Sequence, residues 1–241
     1  MCLFGWANKR YTEADQTSHG IAMFVGHYAA SLALKKLEPR ASLFSLFIAV
    51  QLVDIVFFPL VLLGIEHLNV IENFTEATHF ELVFMPYTHS LAATVAWAAL
   101  SYLACVHLFS LSRRVALVLA LAVASHWFLD LLVHTPDLPL WADDSPKLGF
   151  GLWNNAVATY ALEAVLLIGG LLLYLQATRA TSRWGGYAIY LVVIVLLLAN
   201  IINVFGPLHD DSKLALAGSA LASFLLFAVL AYWAEHIDNV G

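Results

Sequence analysis

Three ionisable side chains stand four residues apart in the stretch Ser-His-Trp-Phe-Leu-Asp-Leu-Leu-Val-His-Thr-Pro, which runs from Ser125 to Pro136: His126, Asp130 and His134. Steps of four keep them on one slowly drifting face of a helix. Two imidazoles and a carboxylate on one stripe form a metal-ligand pattern. The residues around them are apolar enough to lie in lipid, where an ionisable group is costly and marks function. The same kind of group recurs singly in other apolar runs: His27, Asp54, His89 and Glu163. We therefore take His27, Asp54, His89, His126, Asp130 and His134 as candidate metal ligands, and Asp54 and Glu163 as candidate catalytic carboxylates. Asp54 suits either role.

These residues need scaffolding, and the composition says of what kind. The chain has 241 residues, of which 61% are hydrophobic and 12% charged. That balance belongs to a polytopic helical membrane protein rather than a soluble domain. The formal charge of −6 and the lack of any basic block argue against a nucleic-acid partner. Two cysteines, Cys2 and Cys105, have no CxxC neighbour, which argues against a disulfide framework and a thiolate metal site. We read one all-α integral-membrane domain, 1–241, with a short N-terminal tail at 1–19. Seven apolar segments follow: 20–37, 42–65, 86–109, 115–136, 153–177, 184–205 and 213–235. Most reach the roughly 20 residues that cross a bilayer, and the first is short.

The connections sort by charge. Lys35, Lys36 and Arg40, then Arg113 and Arg114, then Arg179 and Arg183 mark short basic turns. The alternate loops, chiefly 66–85 and 137–152, carry acids, with Lys147 and Lys213 as their only bases. The positive-inside rule places the basic turns and the C-terminus in the cytoplasm and the long acidic loops outside. At about 1.5 Å per residue, His27, Asp54, His126 and Glu163 then lie roughly 10–16 Å below the outer ends of their helices. His89, Asp130 and His134 lie within about 9 Å, taking Pro86 as the first residue of the third helix. All fall in one half of a core about 30 Å thick, which scattered structural polars would not do. The two depths point to more than one metal or to a tilted site. Gln51, Asn200 and Asn203 read as helix-packing polars; Trp141, Trp153, Trp184 and Trp233 read as an interfacial belt.

On Gly26-His27, Asp54, Thr88-His89-Ser90 and Ser125-His126 with Asp130, the chain resembles the bacterial inner-membrane family of membrane-bound metal-dependent hydrolases. The match covers about residues 20 to 140. The order His, Asp, His, His-x-x-x-Asp, His is also similar to the zinc-binding order of soluble bacterial phospholipase C. A later His-x-x-x-Glu pair of those enzymes is missing here, Glu163 being a partial substitute, which argues against a full trinuclear centre. The resemblance implies one or two Zn²⁺ ions and hydrolysis of an ester or phosphodiester. The depth of the site implies a lipid-like substrate met in the bilayer. Two other classes use the same residues differently. A haem-binding electron-transfer subunit would use paired histidines but not the carboxylates. A non-catalytic assembly subunit would use none of them as ligands.

Overall fold

A computed structural model describes residues 25–178, 183–207 and 212–237 of the chain. The tail at 1–19, the start of the first segment, Arg179, and the side chains of Arg183 and Trp184 lie outside the described residues.

Among the described residues the chain forms an all-α bundle with two small hairpins at one end. The helices are α1 (Val25–Lys35), α2 (Leu43–Val50), α3 (Leu52–Leu62), α4 (Leu91–His107), α5 (Arg113–Val133), α6 (Ala156–Ala177), α7 (Arg183–Phe205) and α8 (Lys213–His236). Four of them, α5 to α8, are long and apolar enough to cross a membrane, and α2 with α3 adds a fifth span if counted as one broken helix.

Helix starts follow local chemistry. Ser42, Ser90, Ser112 and Asn155 each accept a hydrogen bond from a backbone N–H three residues on, satisfying a donor that the first turn leaves bare. Ser90 corrects the third segment: α4 opens at Leu91, not Pro86. The Ser90 hydroxyl also donates to Pro86 O (2.8 Å), so 86–90 is a side-chain-bonded turn and not helix. His89 therefore lies just before α4, and α4 has 17 residues.

The second segment is also divided. It breaks at Gln51, and α2 and α3 meet at 48°. Ile55 N–H reaches back to Gln51 O (2.8 Å), opening a new helix, and Val50 is the last residue of α2. Asp54 consequently sits in the first turn of α3, where the helix dipole favours a negative charge.

The first acidic loop folds into a hairpin of β1 (His67–Val70) and β2 (Phe80–Phe84), with Leu68 opposite Leu82 and Val70 opposite Phe80. Leu68 and Phe80 are buried in the main core. His79, in the loop between these strands, is buried. It accepts from Asn73 N–H at Nδ1 (2.8 Å), and its Nε2 faces Gly206 O beyond the end of α7 (3.4 Å). The second acidic loop pairs β3 (Leu138–Pro139) with β4 (Lys147–Leu148) and covers the start of α4 through Ala92 N–H to Leu140 O (2.9 Å). At Gly149 this loop passes so close to the end of α5 that a Cβ would stand 2.1 Å from Thr135 O and 2.5 Å from His134 O.

The basic end is tied by ion pairs. The buried Lys35 ammonium bonds Ala41 O (2.7 Å) and the Glu235 carboxylate of α8, which also accepts from Leu43 N–H (2.9 Å). Glu38 receives Arg40 (2.8 and 3.0 Å) and Arg114 (3.2 Å). The Arg40 guanidinium holds the Glu38 carboxyl down at about 2, below its ordinary 4.5. A carboxyl depressed on folding stabilises the fold above its unfolded pKa and loses that contribution as pH falls toward the folded value. Thermal unfolding of the purified protein should therefore show a loss of stability between pH about 4.5 and about 2 that shrinks in Glu38→Gln. An identical acid profile in the variant would show that the pair is energetically silent.

Candidate metal centre

α1, α3, the turn before α4, and α5 send their ionisable side chains to one place inside the bundle. Two buried groups have ligand atoms close enough to hold a metal ion: His27, His126 and Asp130, and Asp54, His89 and His126. The division into deep and shallow residues expected from helix positions does not hold, since Asp54 meets His89. The break at Gln51 and the late start of α4 shift both helices relative to straight spans from the same ends.

Asp130 is the hinge of the arrangement. Its Oδ2 lies 3.1 Å from His126 Nε2 and 4.0 Å from His89 Nε2. Its Oδ1 lies 3.2 Å from His27 Nε2 and 3.7 Å from His134 Nε2. Asp54 Oδ1 closes the second set, 3.1 Å from His89 Nε2 and 3.7 Å from His126 Nε2. Donors bound tetrahedrally at 2.0–2.1 Å stand about 3.4 Å apart, within the span of those separations. Each set thus offers three donors, His27, His126 and Asp130 in one and Asp54, His89 and His126 in the other, with His126 common to both and His134 beside Asp130 where it caps α5.

The ring nitrogens turned away from the centre decide what the inner ones can be. His126 Nδ1 lies 2.7 Å from Val50 O, a pure acceptor, so Nδ1 carries the proton. His134 Nδ1 donates likewise to Asp137 (2.8 Å). His89 Nδ1 meets Thr88 Oγ1 (2.8 Å), whose own proton goes to Glu66 Oε2 (2.6 Å), so His89 must donate too. In the neutral rings each Nε2 then presents a lone pair to a carboxylate oxygen. His27 Nε2, His126 Nε2 and Asp130 Oδ2 are buried and make no hydrogen bond despite their closeness. A proton on one ring would satisfy one such pair; a shared cation satisfies all of them at once.

Burial and packing hold this geometry. The side chains of His27, His89, His126, Asp130 and His134 are at most 4% exposed, whereas Asp54 is 15% exposed. The His27 and His126 rings stack with centroids 4.0 Å apart, leaving no gap for a porphyrin between them. Phe57 meets the His89 ring edge-on (4.9 Å). Trp153 is 2% exposed and packs on His134 (4.0 Å), so it is a wall of the site and not part of an interfacial belt. Glu163 is fully buried but stands outside both groups: its Oε2 accepts from Gly26 N–H (3.3 Å).

The outer partners Glu66, Thr88, Asp137 and the Val50 carbonyl were not among the expected site residues. Asp137, three residues after His134, and Thr88, beside His89, carry a local signal. Glu66 is remote in sequence, and a backbone carbonyl freed by a helix break leaves no mark in composition. Comparison with family models, curated proteins and solved structures returns no match.

Proposed function

We propose that this chain is a membrane-embedded, zinc-dependent hydrolase that cleaves an ester or phosphodiester in a lipid-like substrate. It would work in a bacterial inner membrane, with the hairpin end on the extracytoplasmic side and the basic end and C-terminus in the cytoplasm. The observation that carries this reading is the convergence of imidazole nitrogens and carboxylate oxygens, with the outward nitrogens of His89, His126 and His134 already committed elsewhere. The resemblance to membrane-bound metal-dependent hydrolases points the same way.

Charge supports it further. Two buried carboxylates among neutral imidazoles are expensive to leave uncompensated, and one divalent ion balances them. A second ion leaves net positive charge to receive an anionic ester. When bound, zinc supplies Lewis acidity toward a scissile oxygen and a more acidic water. The chain's own groups do the rest. His27, His126 and Asp130, or Asp54, His89 and His126, would hold an ion with three protein donors, which would leave it room for water or substrate. Asp54, the most exposed ligand side chain, is the carboxylate a substrate can reach, and it takes the proton from the attacking water. The outer loops and Trp153 limit access of bulk water.

The test is metal content of the purified protein, followed by hydrolysis of ester and phosphodiester lipids with and without chelator. One or two zinc ions per chain and chelator-sensitive turnover are expected. Metal retained at the same level in His126→Ala, or turnover indifferent to chelator, would overturn the assignment.

A further inference from the structure

The loop that joins β1 to β2, residues 71–79, is pinned to the bundle at three places. Ala77 N–H donates to Trp153 O (3.0 Å), and Ala77 shares a buried apolar cluster with Trp153 and Val133. The Glu76 carboxylate accepts from the N–H of Ala156 (3.2 Å), the first residue of α6, where the helix dipole favours a negative charge. His79 makes the third tie, to the end of α7. The loop thus closes on the same indole that packs on His134 (4.0 Å), against one wall of the metal centre.

The His79 tie works in one protonation state. Nδ1 accepts from Asn73 N–H (2.8 Å), so it carries no proton, and Nε2–H is the hydrogen that faces Gly206 O (3.4 Å). The Asn73 bond holds a turn that needs holding. Asn73 is left-handed (φ 53°), a region that residues with a side chain rarely take. A second proton on the ring would set Nδ1–H against Asn73 N–H, two donors with no acceptor between them, at a residue only 8% exposed. The charges around His79 do little to shelter that proton. Burial pushes the imidazole below its ordinary 6.5, against the pull of the Glu72 carboxylate in the same loop. Glu76 is committed to α6, and Glu81 accepts from Asn69 Nδ2 across the hairpin (2.8 Å). The end of α7 and the two residues after it, 203–207, include no ionisable residue; His209, Asp210 and Asp211 lie outside the described residues.

We propose that the 71–79 loop is a lid over the metal centre, which neutral His79 latches shut and acid releases. The latch stands on its own bonds; its consequence for the centre rests on the proposed hydrolase. A histidine that the closed loop keeps neutral favours closure in full above its free pKa of about 6.5, and the ratio of closed to open falls by up to about tenfold for each pH unit below that. The test is amide hydrogen exchange of the full chain in detergent micelles from about pH 7.5 to about pH 5.5, corrected for the intrinsic pH dependence of exchange. Protection of 71–79 should hold steady down to about pH 6.5 and then fall, up to about tenfold per unit. His79→Gln should abolish the fall. Its carbonyl oxygen can accept from Asn73 N–H, its N–H₂ can donate to Gly206 O, and it takes up no proton in this range. Nitrogen chemical shifts of His79 in the unaltered protein, which need no variant to fold, should show the Nε2–H tautomer giving way to the charged ring over the range in which the loop opens. Chelator should strip metal faster from the unaltered protein than from His79→Gln at about pH 5.5, and at equal rates at about pH 7.5. Flat protection in the unaltered protein, or the same fall in His79→Gln, would overturn the latch. Equal stripping of the two proteins at the acid pH would overturn the lid. A loop that opens in acid on a protein that holds no metal would sink the hydrolase and spare the latch.

Discussion

Replacing Asp130 with asparagine is expected to strip the protein of metal and of hydrolytic activity together. Both carboxylate oxygens are in use: Oδ1 faces His27 and His134, and Oδ2 faces His126 and His89. An asparagine keeps one oxygen and puts an N–H₂ where the other stood. Whichever way the amide turns, one set of imidazole lone pairs meets a donor instead of a shared cation, and half of the buried negative charge is gone. Loss of an outer partner alone typically costs 10–100-fold in metal affinity, so loss of this ligand should cost about a hundredfold or more. Asp130→Glu keeps the charge and moves it by a methylene, and should retain part of the metal. A second readout separates a metal site from a packing cluster. A ligand at a hundred times its Kd stabilises the state that binds it by about 2.7 kcal/mol. Chelator should therefore lower the unfolding temperature of the unaltered protein and leave that of Asp130→Asn in place. An Asp130→Asn protein with full metal content, or one that chelator destabilises as much as the parent, would show that these residues are only packed polars.

Why the site was partly visible in advance follows from what lipid forbids. A histidine or aspartate inside an apolar run stands out because the run has almost no other charge, and α5 shows this best with His126 and Asp130. The long spans were equally plain: 115–136, 153–177, 184–205 and 213–235 correspond to α5 to α8 with shifts of a few residues at the ends. What the sequence hid was backbone. Pro59 is the obvious breaker in the second segment, yet α3 runs through it, and the break falls at Gln51, where neither Gly nor Pro marks it. That break leaves Val50 O for His126 and turns Asp54 into a first-turn residue. Pro86 looked like a helix start, but Glu66 takes the N–H groups of Tyr87 and Thr88 (2.8 and 3.1 Å), and Ser90 caps the helix later. Both misreadings have one cause: side chain to backbone bonds between segments, which hydropathy does not record.

Glu66→Gln should weaken metal binding 10–100-fold although residue 66 touches no candidate metal ligand. The carboxylate fixes a proton three atoms away. Its Oε1 accepts from Tyr87 and Thr88 N–H, and its Oε2 accepts the Thr88 hydroxyl, which leaves Thr88 Oγ1 to accept from His89 Nδ1. A glutamine must keep its oxygen on the two backbone donors and so presents its N–H₂ to Thr88. The hydroxyl then turns and donates to His89 Nδ1. The ring proton moves to Nε2, the nitrogen that faces Asp54 at 3.1 Å, and that nitrogen can no longer ligate a cation. Removing the misdirected hydroxyl should undo part of this, so Glu66→Gln with Thr88→Val should bind metal more tightly than Glu66→Gln alone. Such a departure from additivity is expected of groups in one hydrogen-bonded chain. Metal titration of the two proteins, with the His89 tautomer read from nitrogen chemical shifts of labelled histidine, decides the matter. If Glu66 merely pins the turn before α4, Thr88→Val will rescue nothing and His89 will keep its proton on Nδ1.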